Sequence, residues 1–388
     1  AEKGLDTILI DDKSFLGGST IYQENECYKI NSVNSNKWLA NEIESLKNYP
    51  NLLIKNRTSL AAFHGYNYLL ARENLTDHLS INERKGKVRQ RLWKIRAKKV
   101  IIASGSIERP LIFSNNDRPG IILSSSIKKY IDYYGVKTGE NISLFTNNDS
   151  AYETAISLYK SGVKVNVIVD IRKNSDSLIV KEALELGLKV LWESTVVDTQ
   201  GYKRIKSFDV MKLSDDGNNV VGDRSKYNCD CLGISGGWTP MVHLFTQSGG
   251  KLKFRNDDNV FIPDENKTPS NQISVGSCNG EFKLNEIVVN TIKNLKSFLN
   301  LRNTFYDEIK IICPDEKSKR NIWLLPSDKH IGKTKPFLDF QNDSTAKDVK
   351  LALREGFKSI EHVKRYTTTG MGTDQGKLSN MHALGIIA

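Results

Sequence analysis

Residues 141–170 read NISLFTNNDSAYETAISLYKSGVKVNVIVD and decide the fold. Their apolar pattern predicts a strand over residues 141–145, a helix over 150–161 and a second strand over 164–170. Four helix residues are spaced to face inward: Ala151, Ala155, Leu158 and Tyr159. A strand, a helix and a strand in this order form a βαβ unit, whose two strands lie parallel in one sheet.

The turn between the first strand and the helix, residues 146–151, has an unusual composition for such a unit. It lacks the first two glycines of the G-x-G-x-x-G/A sequence that cradles a dinucleotide. The side chains of Thr146 and Asn148 would obstruct a pyrophosphate. Asp170 ends the second strand about 20 residues later, where an acidic residue binds ribose in dinucleotide folds. We interpret this unit as a dinucleotide fold that has lost its dinucleotide.

The start of the chain predicts another nucleotide-binding unit, which comes first in chain order. Residues 7–10 form a buried strand that is followed by Asp11 and Asp12. An acidic residue at the end of a second parallel strand binds the ribose hydroxyls, so Asp11 is the candidate and Asp12 its competitor. Gly17 and Gly18 then let the backbone approach a ligand closely. The Gly-rich turn of this unit would lie upstream of Ala1, and we expect both ends of the chain to be cut.

Two strand-to-turn crossovers and a strand–Gly–helix segment complete the pattern. The crossovers are residues 98–110 and 227–240, and residues 273–280 lead into a helix over 284–299. Small residues in these turns allow a cofactor to lie against the backbone, although an ordinary strand exit is the alternative. Four residues of these segments are candidate cofactor contacts: Ser104, Gly105, Arg109 and Gly276. Arg109 and Gly276 could instead be purely structural.

These segments predict an α/β protein in which one nucleotide domain is inserted in another. The two crossovers resemble those of the two-dinucleotide-binding-domain flavoproteins, which implies a flavoprotein-like fold. Residues 1–120 and 228–314 are expected to form a Rossmann-type domain, and residues 121–227 a second, degenerate domain inserted in it. Residues 315–388 form a small C-terminal α-helical module.

Further short strands and helices are predicted within these domains. An antiparallel insertion is predicted from strands over residues 51–55, 58–64, 68–73, 78–81 and 91–95. A helix is predicted over residues 38–48. In the C-terminal module, Asp343, Ser344 and Thr345 cap a helix over 346–355, and another runs through 359–364.

The composition fits a soluble globular protein, with 39% hydrophobic and 26% charged residues among 388. No stretch approaches the ~18 consecutive apolar residues of a membrane span. The net charge of +11 reflects composition bias, or a surface for an acidic partner or anionic cofactors. Nucleic acid is disfavoured because the basic residues are dispersed and not interleaved with aromatics.

The five cysteines are irregularly spaced: Cys27, Cys229, Cys231, Cys278 and Cys313. Cys229 and Cys231 fall in a strand-like segment, so their side chains are expected to point the same way. A second pair that could complete a zinc site is missing from the sequence, which favours structural thiols and no metal. A reducing, cytoplasmic compartment follows as the default.

Residues 364–380 read KRYTTTGMGTDQGKLSN and have almost no apolar periodicity. Such a run offers backbone N–H groups, hydroxyls and positive charge to a phosphate or a flavin edge. Lys364 and Arg365 could alternatively be a charge pair at a helix C-terminus, where cations are favourable.

The chain resembles the α subunits of heterotetrameric sarcosine oxidases. The resemblance rests on the order of segments along the whole chain: residues 116–120 (NDRPG), 134–136 (YGV), 147–152 (NNDSAY), 235–240 (SGGWTP), 242–244 (VHL), 339–343 (DFQND) and the 364–380 run. It implies a complex with β, γ and δ subunits that oxidises the N-methyl group of sarcosine. The products are glycine, hydrogen peroxide and formaldehyde or 5,10-methylenetetrahydrofolate.

The resemblance also implies where the cofactors lie. NAD lies in the first nucleotide domain of this chain, FAD in the β subunit, FMN at the α/β interface and tetrahydrofolate in a C-terminal domain missing here. Eight residues of the final run are the candidates for FMN contacts: Lys364, Arg365, Thr367, Thr368, Gly370, Thr373, Gln375 and Lys377. We nominate no catalytic residue, because in this family the amine chemistry belongs to another chain.

The C-terminal module also resembles small [2Fe–2S] domains of related amine and opine dehydrogenases. Their four cluster cysteines would fall at Asp339, Gln341, Asp374 and Ser379, so a cluster is not expected. Two alternatives remain open. One is the large subunit of a dye-linked amino-acid or opine dehydrogenase, and the other is a structural NAD-holding subunit without chemistry.

Overall fold

The computed structural model describes residues 1–22, 26–301, 309–315 and 320–388. These residues form two compact units. One comprises residues 1–106 and 240–313, and the other comprises residues 107–239 and 314–388. The boundaries of the three predicted domains remain a prediction, and each unit is described by itself below.

Helices and strands are numbered in chain order. The first strands are β1 (Thr7–Ile10), β2 (Lys29–Ile30), β3 (Val33–Asn34), β4 (Leu52–Lys55), β5 (Thr58–His64), β6 (Tyr68–Asn74), β7 (Gln90–Arg96) and β8 (Val100–Ile102). Helix α1 (Ser35–Ser45) lies between β3 and β4, and short 3-10 helices cover Thr20–Tyr22 and Leu46–Asn48.

The middle of the chain contains β9 (Ser106–Glu108), β10 (Ile121–Leu123), β11 (Asn141–Thr146), β12 (Lys164–Asp170), β13 (Val190–Leu191), β14 (Ser194–Gly201), β15 (Ile205–Leu213), β16 (Val220–Asn228), β17 (Cys231–Ser235) and β18 (Trp238–Pro240). Its helices are α2 (Ser124–Asp132), α3 (Ser150–Lys160) and α4 (Leu178–Glu185).

The remaining strands are β19 (Leu252–Arg255), β20 (Val260–Pro263), β21 (Gln272–Ser274), β22 (Ile311–Ile312), β23 (Phe337–Asp339) and β24 (Ser344–Thr345). The helices are α5 (His243–Gln247), α6 (Leu284–Leu299), α7 (Ala346–Arg354), α8 (Ile360–Thr367) and α9 (Asn380–Ile387). Turns of 3-10 helix cover Glu265–Lys267, Gly276–Asn279 and Ile331–Lys333.

The first unit is built on two parallel strand pairs, β1 with β4 and β8 with β21. Strands β5, β6 and β7 form an antiparallel sheet, as the insertion was predicted to do. Its core contains Phe63, Leu69, Ile102, Phe245 and Cys278.

The predicted strand over residues 78–81 is wrong. These residues form turns, in which the Ser80 N–H donates to Glu83 Oε2 and the Arg84 N–H to the Ser80 carbonyl. Ile81 is 75% exposed, so the local side-chain hydrogen bonds override its β propensity.

The second unit is centred on a five-stranded parallel sheet in the order β10-β17-β11-β12-β13. The predicted βαβ unit is β11-α3-β12, and its two strands pair in parallel. Helices α2, α3 and α4 cover one face of the sheet, and the antiparallel β14-β15-β16 sheet covers the other. Side chains of β12 alternate between the two cores, Val167 and Val169 in one and Ile168 in the other. The α/β prediction is therefore confirmed.

Two side-chain expectations in this unit are wrong. Tyr159 is 47% exposed, and Tyr152 is buried in its place next to Ala151 and Ala155. Cys229 and Cys231 lie in different cores, because Cys229 lies before β17 begins and the chain turns between them. Burial raises the pKa of both thiols, which keeps them protonated.

The C-terminal module packs α7, α8 and α9 around Leu338, Val349, Ala352, Val363 and Ala383. Thr345 and Asp348 form a capping box at the start of α7, which confirms the predicted cap. None of the helices in the described part of the chain is long and apolar enough to cross a membrane.

Candidate functional site

Asp11 lies directly after β1, at the carboxyl end of the β1–β4 pair. Its backbone N–H donates to Lys55 at 2.9 Å, and its carbonyl accepts from Thr58 at 2.9 Å. Its carboxylate is half-buried, and Oδ1 accepts from the Lys13 N–H at 2.8 Å. The backbone position of Asp11 is thus fixed by the sheet while its side chain lies at the strand end.

The two glycines after Asp11 have different environments. Gly17 has φ +106°, and a Cβ there would come within 3.0–3.2 Å of Ile21, Leu39 and Ile43. Gly18 has φ +58°, and a Cβ there would meet nothing within 4 Å. Gly17 is therefore required for packing against α1, whereas Gly18 leaves open space for a ligand.

Ser104, Gly105 and Gly276 come together at the carboxyl ends of β8 and β21, which pair from Val100↔Gln272 to Ile102↔Ser274. Met241 closes the first turn, since its carbonyl accepts from Ser104 Oγ at 2.7 Å and its N–H donates to Gly105 at 2.9 Å. Gly105 and Gly276 both have positive φ, +77° and +71°.

Sequence reasoning missed Ser277 and Glu281 at the same strand ends. A Cβ on Gly105 would lie 3.9 Å from Ser277 Oγ. The Glu281 carboxylate accepts from the Gly276 N–H at 3.1 Å, and burial raises its pKa. The signal for Ser277 was available, because a small polar residue follows the glycine that ends an apolar strand.

Arg109 lies in the second unit and is only 3% exposed. Its backbone exchanges hydrogen bonds of 2.8 Å with Gly236 and Gly237. Its guanidinium lies 5.3 Å from the centre of the Trp323 ring, whose other neighbour is the buried His382. Burial, and then the charge of Arg109, lower the pKa of His382 to about 3, so that this histidine is neutral. These contacts favour the structural alternative for Arg109.

The degenerate turn at the carboxyl end of β11 is filled by its own side chains. Asn148 Nδ2 donates to Ser235 Oγ at 2.9 Å, and Asn148 Oδ1 accepts from the Ser150 N–H at 3.0 Å. Thr146 Oγ1 accepts from the Asn148 N–H at 3.1 Å. The N–H groups of Asn148 and Ser150, which a phosphate would need, are therefore already bonded within the turn.

A buried ion network lies beside this turn. Arg172 is fully buried and contacts Asp149 at 2.7 Å and Asp170 at 2.8 Å. The hydroxyl of Tyr152 donates to Asp170 at 2.8 Å. The Asp170 carboxylate, at the place of a ribose ligand, is thus engaged by Arg172 and Tyr152, which supports the loss of the dinucleotide from this fold.

The final run lies at the end of α8 and in the loop before α9. Among the eight predicted FMN contacts, Lys364 is half-buried and five are exposed: Arg365, Thr368, Thr373, Gln375 and Lys377. Thr367 is buried, with its hydroxyl donating to Val363 at 2.8 Å. Gly370 is also buried, and its N–H donates to Asp339 at 2.7 Å. The predicted FMN contacts therefore divide into an accessible set and two residues that hold the loop.

Two of the four positions where cluster cysteines would fall, Asp339 and Gln341, accept hydrogen bonds from backbone N–H groups of this loop. The Asp339 carboxylate accepts from Gly370, and also from Gln341 at 2.9 Å and Asn342 at 3.1 Å. Gln341 Oε1 accepts from both the N–H and the hydroxyl of Thr373, at 2.6 and 2.7 Å.

The other two of these positions, Asp374 and Ser379, lie within the loop itself. Asp374 accepts from Gly376 at 3.1 Å, and Ser379 is 1% exposed. Among the described residues, no group of three or more His, Cys, Asp or Glu could hold a metal ion.

Comparison with known proteins shows which proteins this chain is similar to. Residues 333–388 match the family model described as the sarcosine oxidase A3 domain. Sarcosine oxidase subunit alpha of Corynebacterium sp. (strain P-1) is 32% identical over 395 residues, which cover 100% of this chain and 40% of that protein. The subunit of the same name from Rhizobium meliloti (strain 1021) is 32% identical over 394 residues, covering 99% and 37%. Along its whole length the chain is therefore similar to sarcosine oxidase α subunits.

The predicted resemblance is thereby confirmed, and the chain spans about 40% of the length of these α subunits. The fold is shared more widely than the family. L-proline dehydrogenase from P. horikoshii aligns with a TM-score of 0.68 at 20% identity, covering 100% of this chain and 69% of that one. T. acidophilum thioredoxin reductase aligns with a TM-score of 0.55 at 15% identity, covering 78% and 91%. These likenesses confirm the two-domain flavoprotein-like fold.

Proposed function

We propose that this chain is part of the α subunit of a multisubunit flavoprotein oxidase that oxidatively demethylates sarcosine to glycine. The accompanying products are hydrogen peroxide and formaldehyde, or 5,10-methylenetetrahydrofolate. The observation that carries the proposal is the 32% identity that extends over the whole chain to sarcosine oxidase α subunits.

The other components of the complex belong to the same proposal. A β subunit carries FAD and the amine site, and FMN lies where this chain meets it. Tetrahydrofolate is bound in a further C-terminal domain, and γ and δ subunits complete a cytoplasmic heterotetramer. The name "subunit alpha" of the relatives supports a complex of several subunits.

For NAD, we propose a site at the strand ends of the first unit. Asp11 would accept from the ribose hydroxyls, while Gly18, Gly105 and Gly276 would let the dinucleotide approach the backbone. In the described chain β1 pairs with β4 alone and β8 with β21 alone. Each pair therefore has an edge to which the strand of the expected upstream Gly-rich turn could add.

Asp11→Ala should lower the NAD content of the purified complex severalfold, because the charge-assisted bond to the ribose is lost. The matched control is Asp12→Ala, which removes the neighbouring exposed carboxylate that pairs with Lys13 at 2.9 Å. NAD released by acid would be measured per mole of protein. Equal NAD in Asp11→Ala and wild type, or a loss only in Asp12→Ala, contradicts the role of Asp11.

For FMN, we propose that the exposed cations and hydroxyls of residues 364–380 form one wall of the binding site. The side chains of Lys364, Arg365 and Lys377 supply positive charge, which stabilises a reduced flavin or its phosphate. Phe340, Tyr366 and Met371 are 40%, 46% and 45% exposed on the same module. Exposed apolar side chains beside these cations suit an interface with the β subunit.

Lys377→Met should reduce the FMN content of the co-expressed α and β chains about fivefold or more, through loss of a charge-assisted contact. Lys358→Met removes an equally exposed lysine of the same module outside the run and should leave FMN content unchanged. Extracted FMN and FAD would be separated and quantified. Full FMN occupancy in Lys377→Met would remove this residue from the site.

The activity is tested by expressing the intact α chain together with its partner subunits. Sarcosine-dependent formation of hydrogen peroxide is expected. Turnover only with an artificial acceptor, with proline or an opine as substrate, would instead identify a dye-linked dehydrogenase. NAD binding without any amine oxidation in the complete complex would identify a structural subunit.

A further inference from the structure

A cleft of about 500 Å³ opens in the first unit, at the amino ends of β8 and β21. It is lined by the turn between β5 and β6, the end of β7 and residues 269–272. Ser104, Gly105 and Gly276 lie at the opposite, carboxyl ends of the same two strands. The cleft is therefore separate from the proposed NAD site.

The charged side chains that line the cleft carry one sign. Arg96 and Lys98 are cations, His64 is a third basic side chain, and no carboxylate is found among the described residues that line the cleft. The guanidinium of Arg96 lies 5.8 Å from the centre of the Tyr68 ring, on which His64 also stacks at 6.0 Å. The potential in the cleft therefore favours an anion.

The wall of the cleft contains a buried acceptor that needs a donor. Gln272 is only 4% exposed, and its Nε2 donates to Ser248 Oγ at 2.8 Å. Its Oε1 is buried and has no hydrogen-bond partner among the described residues. A buried acceptor without a hydrogen bond costs about 1–3 kcal/mol, so rotation of the Gln272 side chain toward a ligand N–H or O–H group would be favoured.

The rim of the cleft presents an aromatic ring on a strained turn. Tyr66 is 91% exposed with φ +57°, a conformation that bulky residues rarely adopt. The next residue, Asn67, fixes this turn because its Nδ2 donates to the carbonyls of Lys98 at 3.3 Å and Asn271 at 3.2 Å. The backbone of this turn is thus held in place, and the Tyr66 ring is exposed and accessible for stacking.

We propose that this cleft binds a small anion that carries a planar ring and a hydrogen-bond donor, of mononucleotide size. Its phosphate or carboxylate pairs with Arg96 and Lys98, its ring stacks on Tyr66, and its donor satisfies Gln272 Oε1. A volume of this size accommodates such a ligand.

Adenosine 5′-monophosphate is the probe, titrated into the purified protein by calorimetry with inorganic phosphate as competitor. Arg96→Gln should weaken binding about tenfold, because a charge-assisted contact is lost. Tyr66→Asn should also weaken it, and asparagine tolerates the left-handed backbone at that position. Lys94→Gln is the control, since it removes an exposed cation two residues away on β7 that does not line the cleft.

Four outcomes would overturn the proposal or its class of ligand. The first is absence of binding at millimolar probe, and the second is equal weakening by Arg96→Gln and Lys94→Gln. The third is loss of binding in Asp11→Ala with none in Arg96→Gln, which would place the probe at the NAD site. Phosphate that competes as strongly as the nucleotide would overturn the ring-bearing class of ligand.

Discussion

Arg172→Met should lower the free energy of unfolding by about 3–5 kcal/mol, the cost of breaking a buried ion pair by removing one partner. The guanidinium is completely buried and contacts the carboxylates of Asp149 and Asp170 at 2.7 and 2.8 Å. Methionine keeps an unbranched apolar side chain but leaves both carboxylates in a low-dielectric core without their counter-charge. The expected effect is therefore far larger than that of an ordinary surface substitution.

Urea unfolding followed by circular dichroism would measure this difference. Lys173→Gln is the control, because the neighbouring lysine is 62% exposed and its contacts with Glu193 and Asp215 span 4.0 and 3.5 Å. It should change the unfolding free energy by less than about 0.5 kcal/mol. Adding Asp170→Asn to Arg172→Met should recover part of the loss, because one unpaired buried charge is removed. Equal stability of Arg172→Met and Lys173→Gln would contradict the structural role of the network.

The sequence predicted the βαβ unit around this network but not the network itself. The absence of two glycines from residues 146–151 indicated that the turn could not hold a pyrophosphate. The side chains of the network come from α3, from β12 and from the turns beside them. Their contacts therefore depend on the register of β11 and β12. Asp170 was recognised by its position at the end of the strand, where an acidic residue binds ribose in dinucleotide folds, whereas the nearby Arg172 carried no pattern that marked it.

The predicted NAD site likewise has features that the sequence predicts and features that it does not. The strand ends carrying Asp11, Ser104, Gly105 and Gly276 follow from apolar runs bounded by small or acidic residues. The different environments of Gly17 and Gly18 depend on where α1 packs, which local sequence does not encode. Ser277 follows the glycine that ends an apolar strand, but its position beside Gly105 is established only when β8 and β21 lie side by side.

The final run could be recognised from its composition, but the roles of its residues could not be separated. Thr367 and Thr368 are adjacent and chemically identical, yet one is buried at the end of α8 and the other is exposed with φ +58°. The helix end decides between them, and helix ends are the least predictable part of an element.

The second large effect is expected at Asp339, where Asp339→Ala should lower the free energy of unfolding of the C-terminal module by about 2–4 kcal/mol. The substitution leaves the N–H groups of Gly370, Gln341 and Asn342 without their acceptor, and bonds to a charged group contribute about 1.5–3 kcal/mol each before relaxation. Amide hydrogen exchange would show increased opening of residues 370–376. Asp343→Asn is the control, since Asp343 is exposed with φ +52°, which asparagine adopts readily.

The contribution of Asp339 to the free energy of unfolding should decrease at acidic pH. Burial raises the pKa of its carboxyl, but the backbone N–H groups of Gly370, Asn342 and Gln341 outweigh burial and hold that pKa below its usual range. A carboxyl with a lowered folded-state pKa stabilises the fold above its unfolded pKa of about 4, and this contribution disappears as the pH falls through the folded value. The stability difference between wild type and Asp339→Ala should therefore be constant near neutral pH and shrink below about pH 4. A difference that is undiminished at pH 3 would mean that the charge of Asp339 does not hold the loop, and that its shape alone does.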